Sequence, residues 1–457
     1  MRLDMWSSAS LINWTTRAAT VCCLLLLGAC SHPIEIVGEG DIWSLAGRTC
    51  TLENHQEAAS TCTENYAVYA YQETYYATPR NGWRFDHWVN YCDTTTANQC
   101  TFNVSASDVR KFWFKAVPPL RAVFVPEEAP QTLSQAAADA GIDVGVAIEH
   151  NATPDRVSLV QQEFTSITPE NAMKWHSLAP APGVHDFSAA DTTVAVADAA
   201  NLRIRGHTLI WHRLNGQPSW LAGELAASSD PAETLRNLME EHITAVVGRY
   251  AGRISQWDVV NEPLALVGGG FDPNNIFFET LGEEYLDIAF HSAHLADPSA
   301  SLFLNETFTE FVPAKFDALV ALASSLLARG VPLHGIGLQA HFFLQAPDGV
   351  LLQQQLARIT ALGLSVELTE LDIPLQLFAN QSDPLQAQAI AYGKVFAACL
   401  AVPGCTGITV WGVDDADPWL DNFVLTAPNA PNRPLLFDGA LNPKPAYYLV
   451  RGLLEGH

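Results

Sequence analysis

The sequence predicts an α/β fold of the (β/α)8 TIM-barrel type, preceded by a small, disulfide-containing all-β module. Two observations predict the barrel: from residue 132 onward short β-branched runs alternate with helical segments, and the runs number eight. A third is a change in composition, because residues 30–125 are rich in Tyr, Thr, Trp and Phe and carry several cysteines. Residues 126–131 are the expected linker, and residues 132–457 the barrel.

The predicted barrel strands are short and rich in Val, Ile and Leu. They cover Asp143–Ile148, Phe164–Thr168, Arg203–Ile210, Ile254–Val260, Ser301–Leu304, His334–Leu338, Leu364–Thr369 and Gly407–Trp411. The clearest helix runs from Asp230 to Gly252, where Asp230 can cap the first turn, Pro231 fits the first helical position and Glu233 completes a capping box. In such barrels the functional residues lie where the strands end.

The chain is strongly acidic, with 24 basic against 49 acidic residues and a net charge of −25. This charge repels polyanions, so no nucleic-acid partner is expected. A neutral polymer suits such a surface, although solubility in an external medium explains the acidity equally well.

An apolar run near the N-terminus predicts export. Residues 18–29 are predominantly apolar, too few to span a bilayer, and follow two arginines, so residues 1–29 are interpreted as a signal peptide. The end of this run, Leu-Gly-Ala-Cys at 27–30, resembles the bacterial lipobox. That resemblance implies a lipid on Cys30, a membrane anchor, and a location at the outer membrane or cell surface of a bacterium. An ordinary signal peptide with an incidental cysteine is the alternative.

An even set of cysteines remains after the predicted leader: Cys50, Cys62, Cys92, Cys100, Cys399 and Cys405. In an exported chain such a set predicts disulfides. Cys399 and Cys405 stand apart from the others and are expected to pair with each other. The four in the β module allow several connectivities, of which neighbour pairing is the simplest. Their spacing, without paired histidines nearby, argues against zinc, and no metal site is predicted.

Part of the N-terminal region has its own resemblance. Gly82-Trp83-Arg84-Phe85-Asp86-His87-Trp88, followed by Cys92 and Cys100 and ending in Arg121–Phe124, is similar to a bacterial surface β-repeat module. This resemblance implies no chemistry. Trp83 and Trp88 have faces that can stack on sugars, but packing in a core is the better explanation.

Two strand-like apolar runs each end on a carboxylate. Residues 257–263 contain Glu262, and residues 366–372 contain Glu370. Burying such a strand end is costly unless the charge has a partner or a task. If the fold brings the two ends together, they form the carboxylate pair that glycoside hydrolysis needs, and a separation of about 5–5.5 Å gives the retaining mechanism.

Seven motifs then occur in order along the chain. They are Glu170-Asn171-x-Met173-Lys174-Trp175, Gly206-His207-Thr208-Leu209-x-Trp211-His212, Trp257-Asp258-Val-Val-Asn261-Glu262, Gly337-x-Gln339-x-His341, Thr369-Glu370-Leu371-Asp372, Thr409-Val-Trp411-Gly and Asn442-Pro-Lys-Pro-Ala-Tyr447. With them, the region from about 132 to 455 resembles the glycoside hydrolase family 10 xylanases. The resemblance implies endo-1,4-β-xylanase activity on xylan or xylo-oligosaccharides without a cofactor, and we expect a monomer.

The resemblance also implies residue roles. Glu262 matches the acid/base and Glu370 the nucleophile, and since two close negative charges are unfavourable, Glu262 starts protonated. Asn261 matches the residue that binds the 2-hydroxyl of the sugar. The other matches are Asp372, His341 and Gln339, which hold the nucleophile; Glu170, Asn171, Lys174 and His207, which hydrogen-bond sugar hydroxyls on the non-reducing side; and Trp211, Trp411 and Trp419, which pack against sugar rings.

The chain departs from the family pattern in three places. The segment Trp211–Trp220 is slightly longer than the usual loop, Asn305-Glu306-Thr307-Phe308 stands where the family often has Asn or Asp followed by Tyr, and Pro263 follows the acid. The first two affect subsite preference. Glu367 has the opposite strand parity to Glu370, so a structural role is expected for it.

Three rival functions remain open at this stage. Another retaining β-1,4-glycanase, such as a cellulase, shares the Asn-Glu and Glu pair. A sugar-binding surface protein without catalysis would be expected to lack one of the carboxylates, whereas both are present. The third is that the β module mediates adhesion and the activity of the barrel is secondary.

Overall fold

The computed structural model describes residues 33–55, 62, 70–105, 118–266, 268–416, 418–422 and 432–457. The predicted signal peptide and Cys30 lie outside this range. The chain divides into two compact units, Met1–Pro130 with Gly456–His457, and Gln131–Glu455. Within the described part, no helix has both the length and the apolar character needed to cross a membrane.

The first unit is built from β-strands, as predicted. Its described strands are β1 (Ile34–Val37), β2 (Gly40–Ser44), β3 (Thr49–Cys50), β4 (Tyr71–Pro79), β5 (Trp83–Val89), β6 (Gln99–Val104) and β7 (Leu120–Pro126). They form one sheet in the order β1-β7-β5 and another in the order β3-β2-β4-β6. Strands β1 and β7 run parallel, and the other pairs are antiparallel.

Apolar side chains from both sheets form one core in this unit. Trp88 is fully buried in that core and Trp83 packs against it partly buried, so both tryptophans serve packing, as expected. Disulfides join Cys50 to Cys62 and Cys92 to Cys100. Neighbour pairing is therefore the correct choice among the connectivities that the sequence left open.

The second unit is a closed barrel of eight parallel strands, which confirms the predicted fold class. The strands are β8 (Asp143–Ile148), β9 (Ser166–Pro169), β10 (Arg203–Trp211), β11 (Gln256–Asn261), β12 (Ser301–Glu306), β13 (Gly335–Leu338), β14 (Ser365–Leu371) and β15 (Cys405–Val410). Each strand pairs with the next in the chain, and β15 pairs with β8 to close the ring. Every predicted strand is present, and the differences are confined to the strand ends.

Helices follow the strands along the chain. They are α1 (Leu133–Ala140), α2 (Pro154–Glu163), α3 (Trp175–Leu178), α4 (Ser188–Ala200), α5 (Leu221–Ala227), α6 (Pro231–Arg249), α7 (Ile276–Leu281), α8 (Glu284–Ala296), α9 (Pro313–Ala328), α10 (Gly349–Thr360), α11 (Pro384–Leu400) and α12 (Pro445–Glu455). In α6 the Asp230 carboxylate caps the first turn by accepting from the Glu233 backbone N–H at 3.1 Å. The predicted capping box is only half formed, because the Glu233 side chain instead accepts from Asn237.

A third disulfide joins Cys399 near the end of α11 to Cys405 at the start of β15, as predicted. The bridge closes a short loop, and short loops remove little entropy from the unfolded chain. We expect the double substitution Cys399→Ser, Cys405→Ser to lower the free energy of unfolding by about 2–3 kcal/mol at most. Calorimetric melting of the variant and the wild type checks this, and free thiols at both positions in exported protein would contradict the bridge.

Candidate active site

The strand ends surround a cleft of about 760 Å³. Twelve residues that the sequence singled out line it together, and they come from six different strand ends or the loops that follow: Glu170, Asn171, Lys174, His207, Trp211, Asn261, Glu262, Gln339, His341, Glu370, Trp411 and Trp419. The thirteenth, Asp372, is buried below the cleft, where it contacts His341. The fold therefore collects residues that lie more than two hundred positions apart in the chain.

Glu370, near the end of β14, is buried and held by two donors. The Asn305 side-chain amide donates to Oε1 at 2.7 Å, and His341 Nε2 lies 3.2 Å from Oε2. Burial by itself raises the pKa of Glu370, but the hydrogen bond from His341 and the nearby His207 outweigh it. The pKa of Glu370 consequently lies below its usual value, and the carboxylate is ionised at neutral pH.

His341 is fixed between two carboxylates. Its Nδ1 lies 2.9 Å from Asp372 Oδ2, on the side opposite to Glu370. Burial lowers the pKa of His341, yet Asp372 and Glu370 raise it to about 10, so the ring is protonated and both of its N–H groups donate. Trp419 Nε1 donates to the same Asp372 oxygen at 2.7 Å. Asp372 therefore orients the imidazolium that stabilises Glu370.

Glu262 directly follows β11 and has an unusual backbone conformation, with φ of +53°. The backbone of a non-glycine residue is strained in this left-handed region, so contacts with surrounding residues must hold it there. The Glu262 N–H donates to the Asn305 carbonyl at 2.9 Å, and the Leu264 N–H donates to Glu306 Oε2 at 3.0 Å. Both anchors lie on the neighbouring strand β12, which thereby sets the direction of the Glu262 side chain.

Glu306 is itself fully buried, with Lys315 from α9 at 2.8 Å from its Oε1. Burial raises the pKa of Glu306 to about 7, although the Lys315 ammonium opposes the rise. Removing either member of such a pair leaves an uncompensated buried charge, which is costly. The sequence marked this segment only as a departure from the family pattern, so the ion pair was missed.

Asn305 links the two halves of the site. Besides Glu370, its amide N donates to Asn261 Oδ1 at 2.9 Å, while its own oxygen accepts from the Thr369 hydroxyl at 2.6 Å. A continuous set of hydrogen bonds thus joins the end of β11 to Glu370 on β14 through β12. The sequence analysis assigned no role to Asn305.

Gln339 contacts both carboxylate residues of the site. The sequence grouped it with the residues that hold Glu370, but its amide donates to Glu262 Oε1 at 3.1 Å and to Asn261 Oδ1 at 3.3 Å. Its backbone carbonyl accepts from the Glu370 N–H at 2.8 Å. Gln339 therefore contacts both carboxylate residues: its side chain orients Glu262, and its backbone anchors Glu370.

A buried ionic network lies beneath the site. Arg205 binds Asp258 through two hydrogen bonds and Glu367 through a third of 2.8 Å. Asp258 Oδ2 in turn accepts a hydrogen bond from His207 Nδ1 at 3.0 Å. Gln256 also donates to Glu367, at 2.6 Å. Glu367 is therefore structural, as its strand parity predicted, and the network orients His207.

Lys174 and Asn171 form a polar cluster in the lining of the cleft. The Lys174 ammonium donates to Asn171 Oδ1 at 2.8 Å and lies 5.0 Å from the centre of the Trp211 ring. Asn171 donates to Glu149. Burial lowers the pKa of Lys174, against the opposing effect of Glu370 and other nearby carboxylates. This cluster presents fixed donors and acceptors beside an aromatic face, which suits sugar hydroxyls and rings.

Several cleft residues were not singled out by the sequence analysis as site residues: Arg213, Leu214, Asn215, Leu266, Thr307, Phe308 and Phe343. Five of them lie in the two segments that depart from the family pattern, and that departure was the only sequence signal for them. Phe308 and Phe343 meet edge to face with ring centres 5.2 Å apart. Together with Leu214 and Leu266 they give this part of the cleft apolar character.

The arrangement as a whole has the parts needed for glycoside hydrolysis: an ionised buried carboxylate, a second carboxylate in the same cleft, and aromatic walls. Residues 132–452 match the family described as Glycosyl hydrolase family 10. The chain belongs to glycosyl hydrolase family 10.

Individual relatives agree with this assignment. The chain is 37% identical over 316 residues to the beta-1,4-xylanase of Dictyoglomus thermophilum, which covers 67% of this chain and 87% of that protein. It is 38% identical over 300 residues to endo-1,4-beta-xylanase 3 of Hypocrea jecorina, covering 65% and 78% respectively. The fold is similar to that of xylanase 10B from Thermotoga petrophila RKU-1 in complex with xylobiose, with a TM-score of 0.66, 33% identity, and coverage of 72% of this chain and 98% of that one.

The contact between His341 and Glu370 gives a prediction for pH dependence. Without the imidazolium, the effect of burial on Glu370 is less opposed and its pKa rises, so His341→Asn is expected to move the acid limb of the pH–kcat/KM profile upward. The limb moves upward because Glu370 acts in its ionised form. With a higher pKa, Glu370 becomes protonated and the enzyme loses activity at a higher pH. An acid limb that stays in place would contradict this role of His341.

Proposed function

We propose that this protein is an endo-1,4-β-xylanase that cleaves xylan with retention of configuration. The observation that carries the proposal is the hydrogen-bonded set that joins Glu262 to Glu370 through Gln339, Asn261 and Asn305. It places two carboxylates in one aromatic-lined cleft, in a family whose relatives named above are xylanases.

In the first step Glu370 is the nucleophile. It is ionised and oriented by His341 and Asn305, so an oxygen lone pair is available to attack the anomeric carbon. Glu262 donates its proton to the departing glycosidic oxygen as the carbon–oxygen bond breaks. The products of this step are a free sugar hydroxyl on the leaving chain and an ester between Glu370 and the retained sugar.

In the second step the ester is hydrolysed. The negative charge on Glu370 is now absent, and Glu262 carries a carboxylate that accepts a proton from water. The hydroxide oxygen attacks the anomeric carbon from the side that the leaving group vacated, and Glu370 departs as a carboxylate. Two inversions give net retention, and Glu262 ends the cycle protonated.

Sugar binding is assigned to the polar cluster and the tryptophans. Glu170, Asn171, Lys174 and His207 bind hydroxyl groups on the non-reducing side, and Trp211, Trp411 and Trp419 contact ring faces. A second cavity of about 430 Å³ shares Glu170, Trp411 and Trp419 with the cleft. A site that continues beyond the carboxylates in this way supports binding within a long chain, and hence endo cleavage.

A product profile tests the substrate assignment. Purified enzyme is incubated with linear xylan, decorated xylan and cellulose, and the oligosaccharides released early are sized. We expect a mixture of xylo-oligosaccharides from xylan and no comparable release from cellulose. Faster cleavage of cellulose would favour the rival β-1,4-glycanase, and xylose as the sole early product would contradict endo action.

We also propose that the protein is exported as a lipoprotein and that residues 30–125 form a surface module between the lipid and the barrel, with the enzyme acting as a monomer. The support is the lipobox-like end of the predicted signal peptide and the disulfides of an exported chain. A lipidated N-terminus with several acyl chains gives stable membrane attachment.

Cys30→Ala tests the anchor. Without the cysteine there is no acceptor for the lipid, so we expect unprocessed or mislocalised protein where the wild type sediments with membranes. Membrane fractionation and mass spectrometry of the N-terminus measure this. A wild-type product that is cleaved, soluble and unlipidated would contradict the proposal.

A further inference from the structure

Arg213 brings a positive charge to Glu262. It lies between β10 and α5, lines the cleft, and places Nε 3.4 Å from Glu262 Oε2. Its Nη2 lies 3.3 Å from Asp272 Oδ2, so the guanidinium bridges two carboxylates. The Arg213 side chain is 32% exposed, which means that solvent screens part of its charge.

Asp272 holds Arg213 in this position. Its carboxylate also accepts from the Asn274 N–H at 2.9 Å and lies 3.2 Å from His212 Nε2, while its own N–H donates to the Pro263 carbonyl at 3.1 Å. Burial raises the pKa of Asp272, but these donors and Arg213 outweigh that effect. The pKa of Asp272 therefore lies below its usual value, and the carboxylate is ionised at neutral pH. The anchor therefore belongs to the same chain segment that follows Glu262.

We infer that Arg213 is a positioning residue for Glu262, an inference that rests on the acid/base role given to Glu262 above. The guanidinium, anchored on Asp272, lies beside the carboxyl group that holds a proton in the first step and accepts one in the second. A cation beside a carboxyl group stabilises its charged form, so removal of Arg213 should be visible in the alkaline limb of the pH–rate profile.

Other charged groups also act on Glu262. Lys174, Glu306 from β12 and His212 interact with it electrostatically. Glu370 lines the same cleft, and Asp272 contacts Arg213 directly. Burial lowers the pKa of His212, so that ring is neutral at working pH and does not duplicate the charge of Arg213. Replacing Arg213 by a neutral residue removes a positive charge beside Glu262, while the nearby carboxylates stay. The alkaline limb of the pH profile is therefore expected to move upward.

The test compares Arg213→Gln with Arg213→Lys, which keeps the charge. The quantity measured is the pH profile of kcat/KM on xylo-oligosaccharides. Arg213→Gln is expected to move the alkaline limb up by about 0.5–1 unit, a roughly 3- to 10-fold gain in relative activity above the limb. Arg213→Lys keeps the limb near its wild-type position, and the acid limb, which belongs to Glu370, stays in place in both variants.

A second measurement uses the unmodified protein. High salt screens a partly exposed ion pair, so the wild-type alkaline limb is expected to move toward that of Arg213→Gln as ionic strength rises, while the limb of Arg213→Gln moves less. An unmoved limb in Arg213→Gln, or equal movement in the Gln and Lys variants, would overturn the inference. Full activity of Glu262→Ala on xylan would instead mean that the proposed function has failed.

Discussion

Glu370→Ala is expected to lower activity on every substrate by roughly 10⁴–10⁶-fold, because no neighbouring group can replace the nucleophile of a covalent pathway. Azide added to this variant should restore turnover, since the small anion fits the space left by the carboxylate. The glycosyl azide formed in one displacement should have inverted configuration. Chromatography and proton NMR of the azide product measure both effects.

The control for this variant is structural integrity. Glu370 accepts hydrogen bonds from Asn305 and His341, so its removal leaves buried donors unpaired and changes stability as well as chemistry. Glu367→Gln is a matched comparison on the same strand, because Glu367 is buried but serves the network beneath the site. If Glu370→Ala is folded and retains a substantial fraction of wild-type activity, Glu370 is not the nucleophile.

Glu262→Ala should give a loss that depends on the leaving group. Natural xylan needs a proton on the departing oxygen, so its kcat/KM is expected to fall by about 10²–10⁴-fold. An aryl xylobioside with a good leaving group needs little protonation and should still form the ester on Glu370. Azide should then accelerate the second step with retained configuration, since azide needs no general base.

Comparing the two substrates isolates the acid role. Steady-state rates on xylan and on the aryl xylobioside, with and without azide, are measured for the wild type and the variant. Equal losses on both substrates would show that the proton comes from elsewhere. Equal losses on both substrates, together with no acceleration by azide, would also show that Glu262 is not the general base.

The barrel was predictable because each of its signals is local. The apolar runs that became β8–β15 are bounded by polar or turn residues, and α6 carries its N-terminal signal in Asp230 and Pro231. The disulfide partners Cys399 and Cys405 are close in sequence, which left little choice. The site residues were assigned from motifs that resemble the family, and the fold brings twelve of them into one cleft because those motifs lie at strand ends.

The hydrogen-bond partners were less predictable because they depend on how neighbouring strands are aligned. Gln339 was expected to hold Glu370, and its backbone carbonyl does accept from the Glu370 N–H, but the contact of its side chain with Glu262 was not foreseen. Asn305 contacts both halves of the site only because β12 lies between β11 and the strands that follow. The left-handed backbone of Glu262 has no signature in the sequence, and it became visible only with its anchors on β12.

The most direct test of the mechanism is the configuration of the first product. Wild-type enzyme hydrolyses a xylo-oligosaccharide in an NMR tube, and the anomeric proton signals are recorded before mutarotation mixes the two forms. Direct attack by Glu370 followed by water predicts that the new reducing end appears first as the β-anomer, with the configuration of the bond that was cut. Early accumulation of the α-anomer would mean that water attacks in a single displacement, and the role given to Glu370 would be wrong.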